Sequence, residues 1–106
     1  MKGFAAGLLV FVSTAGASGA AEFKTVSTEG FGCLALNDFN RAVDFANQND
    51  IAAFKKFIGQ KVPSGECRSL HKGQAVFEEQ TSGDGRICVR PKGDIDCVWT
   101  DRAIIE

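Results

Sequence analysis

Between Leu34 and Gly59 apolar residues recur every three or four positions, and from Cys67 onward they alternate with polar ones. The chain therefore predicts a helical segment followed by a sheet. Leu36, Phe39, Val43 and Ala46 form one helical stripe, with Asn37 or Asp38 placed to cap the first turn, and Asn47-Gln48-Asn49 interrupts it. Asp50 is placed to cap a second helix in which Ile51, Phe54, Phe57 and Ile58 share a side, Lys55-Lys56 lie near the negative end of the dipole and Gly59 is the stop. Residues 33–60 thus read as an αα-hairpin with a very short connection. After the Val62-Pro63-Ser64-Gly65 turn, a strand containing Cys67 and Leu70, a His71-Lys72-Gly73 turn, a strand over 75–79 and a Ser82-Gly83-Asp84-Gly85 turn are expected. Ala103-Ile104-Ile105 closes the chain as a short strand or a turn of helix. With the hairpin over 85–100, five short strands in residues 66–106 suggest a small curled sheet or barrel. The fold class is α+β, a helical hairpin packed on a small five-stranded β-barrel.

The hairpin over 85–100 is the most firmly specified stretch, with strand-forming residues on both sides of Pro91-Lys92-Gly93-Asp94. A turn centred between Lys92 and Gly93 sets Cys88 opposite Cys97, Arg86 opposite Trp99 and Ile87 opposite Val98. Directly opposed Cβ atoms stand about 4.5–5.5 Å apart, a distance a disulfide can close. Alternation assigns Ile87, Val89 and Val98 to a core-facing side and Arg86, Cys88, Arg90, Ile95, Cys97 and Trp99 to the other.

The first residues change the picture of the whole. Met1-Lys2, the apolar run from Phe4 to Val12 and the small-residue stretch ending in Ala-Ser-Gly-Ala-Ala read as a secretory signal peptide over 1–21, cleaved after Ala20 or Ala21. The apolar run is too short for a membrane span, so none is expected after cleavage. Residues 22–32, ending in Gly30-Phe31-Gly32, read as a flexible lead-in or a short extended arm whose end Phe31 pins to the body, and residues 33–106 as a single domain.

Export gives the four cysteines their meaning, since an even count in a short exported chain points to two disulfides and to a periplasmic or secreted location. Three pairings are possible. Cys88 with Cys97 and Cys33 with Cys67 are favoured, the second tying together the two ends of the helical hairpin. Zinc usually takes a close Cys-x-x-Cys pair, which this chain lacks. The net charge of −1, about −2 without Lys2, carries no basic stripe, which argues against nucleic acid as a partner.

The run Cys67-x-x-Leu70-x-x-Gly73-x-x-Val76, then Gly85-x-Ile87-x-Val89, then Val98-Trp99-Thr100-Asp101 and Ile104, resembles the bacterial Src-homology-3-like domain over Glu66 to Ile105. The helical hairpin lies outside that match. Over the mature length, the Gly-Cys-Leu start, helical pair and barrel look similar to small uncharacterised exported bacterial proteins. The resemblance implies a five-stranded barrel and a binding module, of a kind often attached to cell-wall enzymes, that holds peptides or peptidoglycan in a shallow aromatic-lined groove. Of the groove aromatics only Trp99 can be carried over. The chain has no Tyr, which departs from the Tyr-paved groove of proline-peptide readers.

Candidate chemistry is sparse. His71, the only histidine, sits in a turn and reads as a solvated residue. Glu78 and Glu79 are adjacent on a strand and so point to opposite faces, poor geometry for a carboxylate pair. Asp94 and Asp96 lack the rest of a calcium loop, and Ser82 lacks the glycine frame of a nucleophile elbow. No cofactor and no enzymatic activity are expected. Trp99 with Arg86, and Arg90 beside them, would make an amphipathic cationic patch for a cell-wall component or an exported protein, unless Trp99 packs on the helical hairpin. The alternative is an inhibitor or immunity protein that sets Asp84, Asp94 and Asp96 against the basic cleft of an exported hydrolase.

Overall fold

A computed structural model of the chain describes residues 23–106, and the expected signal peptide lies outside them. Two helices stand beside one antiparallel sheet of six strands: β1 (Phe23–Thr25), β2 (Gly30–Cys33), α1 (Leu36–Asn47), α2 (Ile51–Lys61), β3 (Cys67–Leu70), β4 (Ala75–Thr81), β5 (Arg86–Pro91) and β6 (Val98–Asp101), followed by a 3-10 turn at Arg102–Ile104. The strand order is β1-β4-β5-β6-β2-β3. Six strands replace the expected five: the segment read as a lead-in forms β1 and β2, and the chain's last expected element, Ala103-Ile104-Ile105, falls in the 3-10 turn and a single bridge instead of a strand. Phe23 pairs with Phe77 in β4, and Gly30 to Cys33 pair with Leu70 to Cys67.

One face of the sheet carries the main core, Val26, Leu70, Val76, Ile87, Val89 and Val98, with Ile104 and Ile105 packed against it. Ile105 bridges Val26, and Thr25 and Glu106 exchange backbone hydrogen bonds of 3.0 and 2.8 Å, so the C-terminus folds back onto the end of β1. The opposite face carries a second cluster of Cys33, Phe39 and Cys67, joined by Phe31, Val43, Val62 and Trp99, and the helical hairpin packs there.

The helices follow their apolar stripes with local differences. In α1 the buried residues are Phe39 and Ala42, whereas Ala46 is exposed. Ala35, not Asn37 or Asp38, precedes the first turn, without a side-chain cap; Asp38 instead reaches Lys61 of α2 at 3.3 Å. Asp50 does cap α2, accepting from the Ala53 amide at 3.1 Å. Asn49, at φ 60°, makes the tight connection, in the left-handed region that Asn tolerates better than most residues. Helix α2 passes through Gly59 to Lys61, since glycine lowers helix propensity without ending a helix whose next residues still find partners. Glu66 and Asp38 hydrogen-bond the Lys61 ammonium, Glu66 the more strongly, and hold its pKa above the ordinary lysine value.

Both favoured disulfides are present, Cys33–Cys67 and Cys88–Cys97. The hairpin register differs by two residues from the expected one: Cys88 stands opposite Trp99, Ile87 opposite Thr100 and Arg86 opposite Asp101. A two-residue slide preserves the faces, so Ile87, Val89 and Val98 are all buried as alternation requires. The slide arises because the connection is the six-residue loop between Pro91 and Val98. Asp94 N–H closes a turn on Pro91 O at 2.9 Å, and Ile95 and Asp96 then continue outward in the loop. Ile95 belongs to that loop and not to a strand face.

Candidate functional site

Helix α1 lies against β2 and β6 with its Phe39 edge down, and the 3-10 turn closes the far side. Between them runs an apolar cleft of about 210 Å³, lined by Gly30, Phe31, Phe39, Val43, Thr100, Asp101 and Ile104. Each wall has a local cause. Phe31 projects from β2 on the helical side, its ring 5.1 Å from that of Phe39 and 5.8 Å from that of Phe54. Gly30 leaves room for Ile104: a Cβ there would meet Ile104 Cδ1 at 2.8 Å. Thr100 donates its hydroxyl to Phe31 O at 2.8 Å, which satisfies a buried polar group and fastens β6 to β2.

The rim is polar and already paired. Asp101 accepts from the Ala103 amide through Oδ1 at 2.9 Å, capping the 3-10 turn, and from Arg86 Nη1 through Oδ2 at 3.3 Å. Arg86 Nε donates to Asn40 Oδ1 at 2.9 Å, and the guanidinium lies 5.0 Å above the Phe39 ring. Arg86 therefore spans sheet, helix and terminal turn, with a side chain only 17% exposed. Arg86→Ala would leave Asn40 and Asp101 without their partner and uncover Phe39. The expected loss is about 2 kcal/mol of unfolding free energy. Arg86→Lys should recover little, because an ammonium cannot reach both oxygens from a stacked position. Urea denaturation of the two variants measures this; a lysine variant as stable as the parent would contradict the clamp.

The residues that sequence pointed to are distributed differently. Trp99 is half-buried and packs with Cys33, Phe39 and Cys67 beneath the helical hairpin, so it supports the site from below. Its neighbour across the ladder is Cys88, not Arg86. Arg90 belongs to a separate corner: Nε reaches Glu79 at 2.8 Å, Nη1 reaches Asp94 O at 3.1 Å, and the guanidinium lies 4.7 Å over Phe77. Asp84 accepts from the Ser82 hydroxyl inside its turn, and that hydrogen bond holds its carboxyl below the ordinary carboxylate value. Asp94 pairs with Arg68 at 3.2 Å, and Asp96 enters no ion pair among the described residues. Asp84 precedes β5 while Asp94 and Asp96 follow it, and six strand residues span about 20 Å. The three carboxylates do not make one surface.

Phe31, Phe39, Val43 and Ile104, which line the cleft, carried only a core signal in the sequence. The flanking glycines of Gly30-Phe31-Gly32 were the one available hint that backbone and side chains approach closely there. Chemically the cleft offers apolar contact and a neutralised Arg–Asp rim. All four cysteines are oxidised, and among the described residues no three of His, Cys, Asp and Glu gather where they could hold a metal ion. No helix among the described residues is long and apolar enough to cross a membrane. Comparison with known proteins finds no matching family, no matching curated protein and no matching solved structure.

Proposed function

We propose that the chain is an exported, non-enzymatic binding module that takes an apolar group of a cell-envelope component, or of a protein there, into the cleft between α1 and the 3-10 turn. The observation that carries this reading is the cleft itself, about 210 Å³ of apolar space floored by the Phe31 and Phe39 rings and rigidly framed by the Arg86 clamp. It replaces Trp99 as the contact while keeping the same side of the sheet. The two disulfides fit passage through an oxidising compartment. The Src-homology-3-like reading over Glu66 to Ile105 takes in β3 to β6 and the 3-10 turn; it is supported by Leu70 of β3 sharing one core with Val76, Ile87, Val89 and Val98, while β1 and β2 join the sheet from outside that stretch.

Sedimentation with purified peptidoglycan tests the reading. The parent chain is expected to co-sediment, and Val43→Glu, which sets a carboxylate into the cleft from a half-buried helix position, should reduce binding by roughly tenfold or more. A Val43→Glu variant that binds as well as the parent, or a parent that stays in solution, would remove the cleft or the polymer from the proposal. The inhibitor reading would have to use Asp94 and Asp96 without Asp84, which precedes β5 while the other two follow it.

A further inference from the structure

A second feature lies at the far end of β5, away from the cleft. The β5–β6 loop, residues 92–97, holds Ile95 90% exposed, and nothing about that exposure comes from slackness. Lys92 N–H donates to Ala75 O at 3.0 Å, and Asp94 N–H donates to Pro91 O at 2.9 Å. Arg90 Nη1 holds Asp94 O at 3.1 Å, Arg68 Nη1 holds Asp94 Oδ2 at 3.2 Å, and Cys97 is bonded to Cys88 in β5. The loop is fastened at both ends and in the middle, with a large aliphatic side chain left in water at its outermost point. Such a group loses little conformational freedom when it is covered, which is what makes a rigid exposed anchor a good centre for an interface.

The surroundings say which partner. Beside the loop the Phe23 ring, 55% exposed, stacks on Phe77 at 4.9 Å, and the Lys92 ammonium lies 5.3 Å from the Phe23 ring centre, so β1 and the start of the loop share one corner. The other charges of this corner are already matched: Lys24 with Glu78, Arg90 with Glu79, Arg68 with Asp94. Two exposed charges of the loop remain outside any ion pair among the described residues, Lys92 three positions before Ile95 and Asp96 one position after it. They are opposite in sign and flank the anchor along the chain. A partner of uniform charge would be repelled by one of them.

From this arrangement we infer that the loop docks on a second copy of itself: a two-fold axis passes beside Ile95, the two Ile95 side chains meet, and Lys92 of each chain faces Asp96 of the other. A two-fold interface demands a self-complementary surface, and a cation and an anion flanking an apolar anchor satisfy that condition. The contact is small, so the dimer forms at high micromolar concentration and weakens with salt.

Sedimentation equilibrium on protein expressed from the full-length sequence, with both disulfides formed, tests the inference. Between about 10 µM and about 1 mM the weight-average mass is expected to rise from one chain towards two. Ile95→Asp should raise the dissociation constant by roughly tenfold or more. Lys92→Asp and Asp96→Lys should each abolish self-association alone, while an equimolar mixture of the two single variants should associate at least as tightly as the parent, since every charge then meets its opposite. All three sites are exposed loop positions, and circular dichroism confirms that each variant is folded. A parent that stays monomeric at about 1 mM, a dimer indifferent to Ile95→Asp, or a mixture no tighter than its components would overturn the inference.

Discussion

Replacing Cys33 and Cys67 together by alanine is expected to lower the unfolding free energy by about 4 kcal/mol, more than any other change to the covalent framework. The bridge closes a loop with a sequence separation of 34, against 9 for Cys88–Cys97, and the entropy removed from the unfolded chain grows with the logarithm of that separation. The shorter bridge is accordingly worth about 3 kcal/mol. Position adds to the difference. Cys33 and Cys67 face each other on β2 and β3 at the two ends of the helical hairpin, and both are wholly buried against Phe39 and Trp99. Without the bridge, the junction keeps the four-residue β2–β3 pairing, the Leu34 N–H to Glu66 O hydrogen bond of 2.8 Å and the Lys61 contacts to Asp38 and Glu66, the last of which are at the surface and individually weak. For a domain of this size such a loss is a large share of the total stability. Urea unfolding of the two double-alanine variants decides the order: a Cys88/Cys97 variant less stable than the Cys33/Cys67 variant would show that loop closure is not what these bridges contribute.

The same features explain which parts of the fold could be read in advance. The apolar spacing of Phe39 and Val43, the capping position of Asp50 and the turn glycines Gly73, Gly85 and Gly93, all at positive φ, are local signals, and each marks an element that forms where expected. Strands β1 and β2 left no such signal. They have three and four residues, β2 is half glycine, and each exists because of partners far along the chain, Phe77 and Ile105 for the β1 segment and Cys67 and Trp99 for β2. Pairing of that kind is tertiary, and propensity does not encode it.

The site follows the same division. Alternation placed Trp99 and Arg86 on the correct face, but a face says nothing about what covers it, and the helical hairpin covers Trp99 while leaving a gap beside Phe39 and Val43. Turn membership identified Asp84, Asp94 and Asp96 as exposed carboxylates, yet only the length of β5 shows that they sit at opposite ends of one strand. The register of the hairpin failed for a related reason. Pro91-Lys92-Gly93-Asp94 does make a turn, but Arg90 and Arg68 hold Asp94 from beneath, and Ile95 and Asp96 lengthen the connection in a way no turn rule contains.

Gly32→Ala, a change of one methyl group, is expected to cost about 3 kcal/mol, at the upper end of what overpacking does. A Cβ on residue 32 would stand 2.6 Å from Val98 Cγ2 and 3.0 Å from the Trp99 carbonyl oxygen. Neither neighbour can give way. Val98 is wholly buried in the main core, and its β-branched side chain has one comfortable rotamer to leave. The Trp99 carbonyl belongs to the backbone of β6, which the single Cys33–Trp99 register pair and the Thr100 hydroxyl hold against β2. The new methyl group therefore forces β2 and β6 apart, and the strain passes to the join between the four strands on one side and the β2–β3 pair that carries the helices. Gly30→Ala makes the contrast. Its Cβ would meet only the tip of Ile104, a half-buried side chain at the end of the 3-10 turn, so the turn can shift at a cost of about 1 kcal/mol. Gly59→Ala, with open space around it in α2, should instead stabilise by about 0.5–1 kcal/mol. Combining Gly32→Ala with Val98→Ala should cost clearly less than the sum of the two single changes, a non-additivity that direct contact produces. Thermal unfolding of the series measures these differences, and a Gly32→Ala protein as stable as the parent would mean that β2 does not pack against Val98 as the sheet order requires.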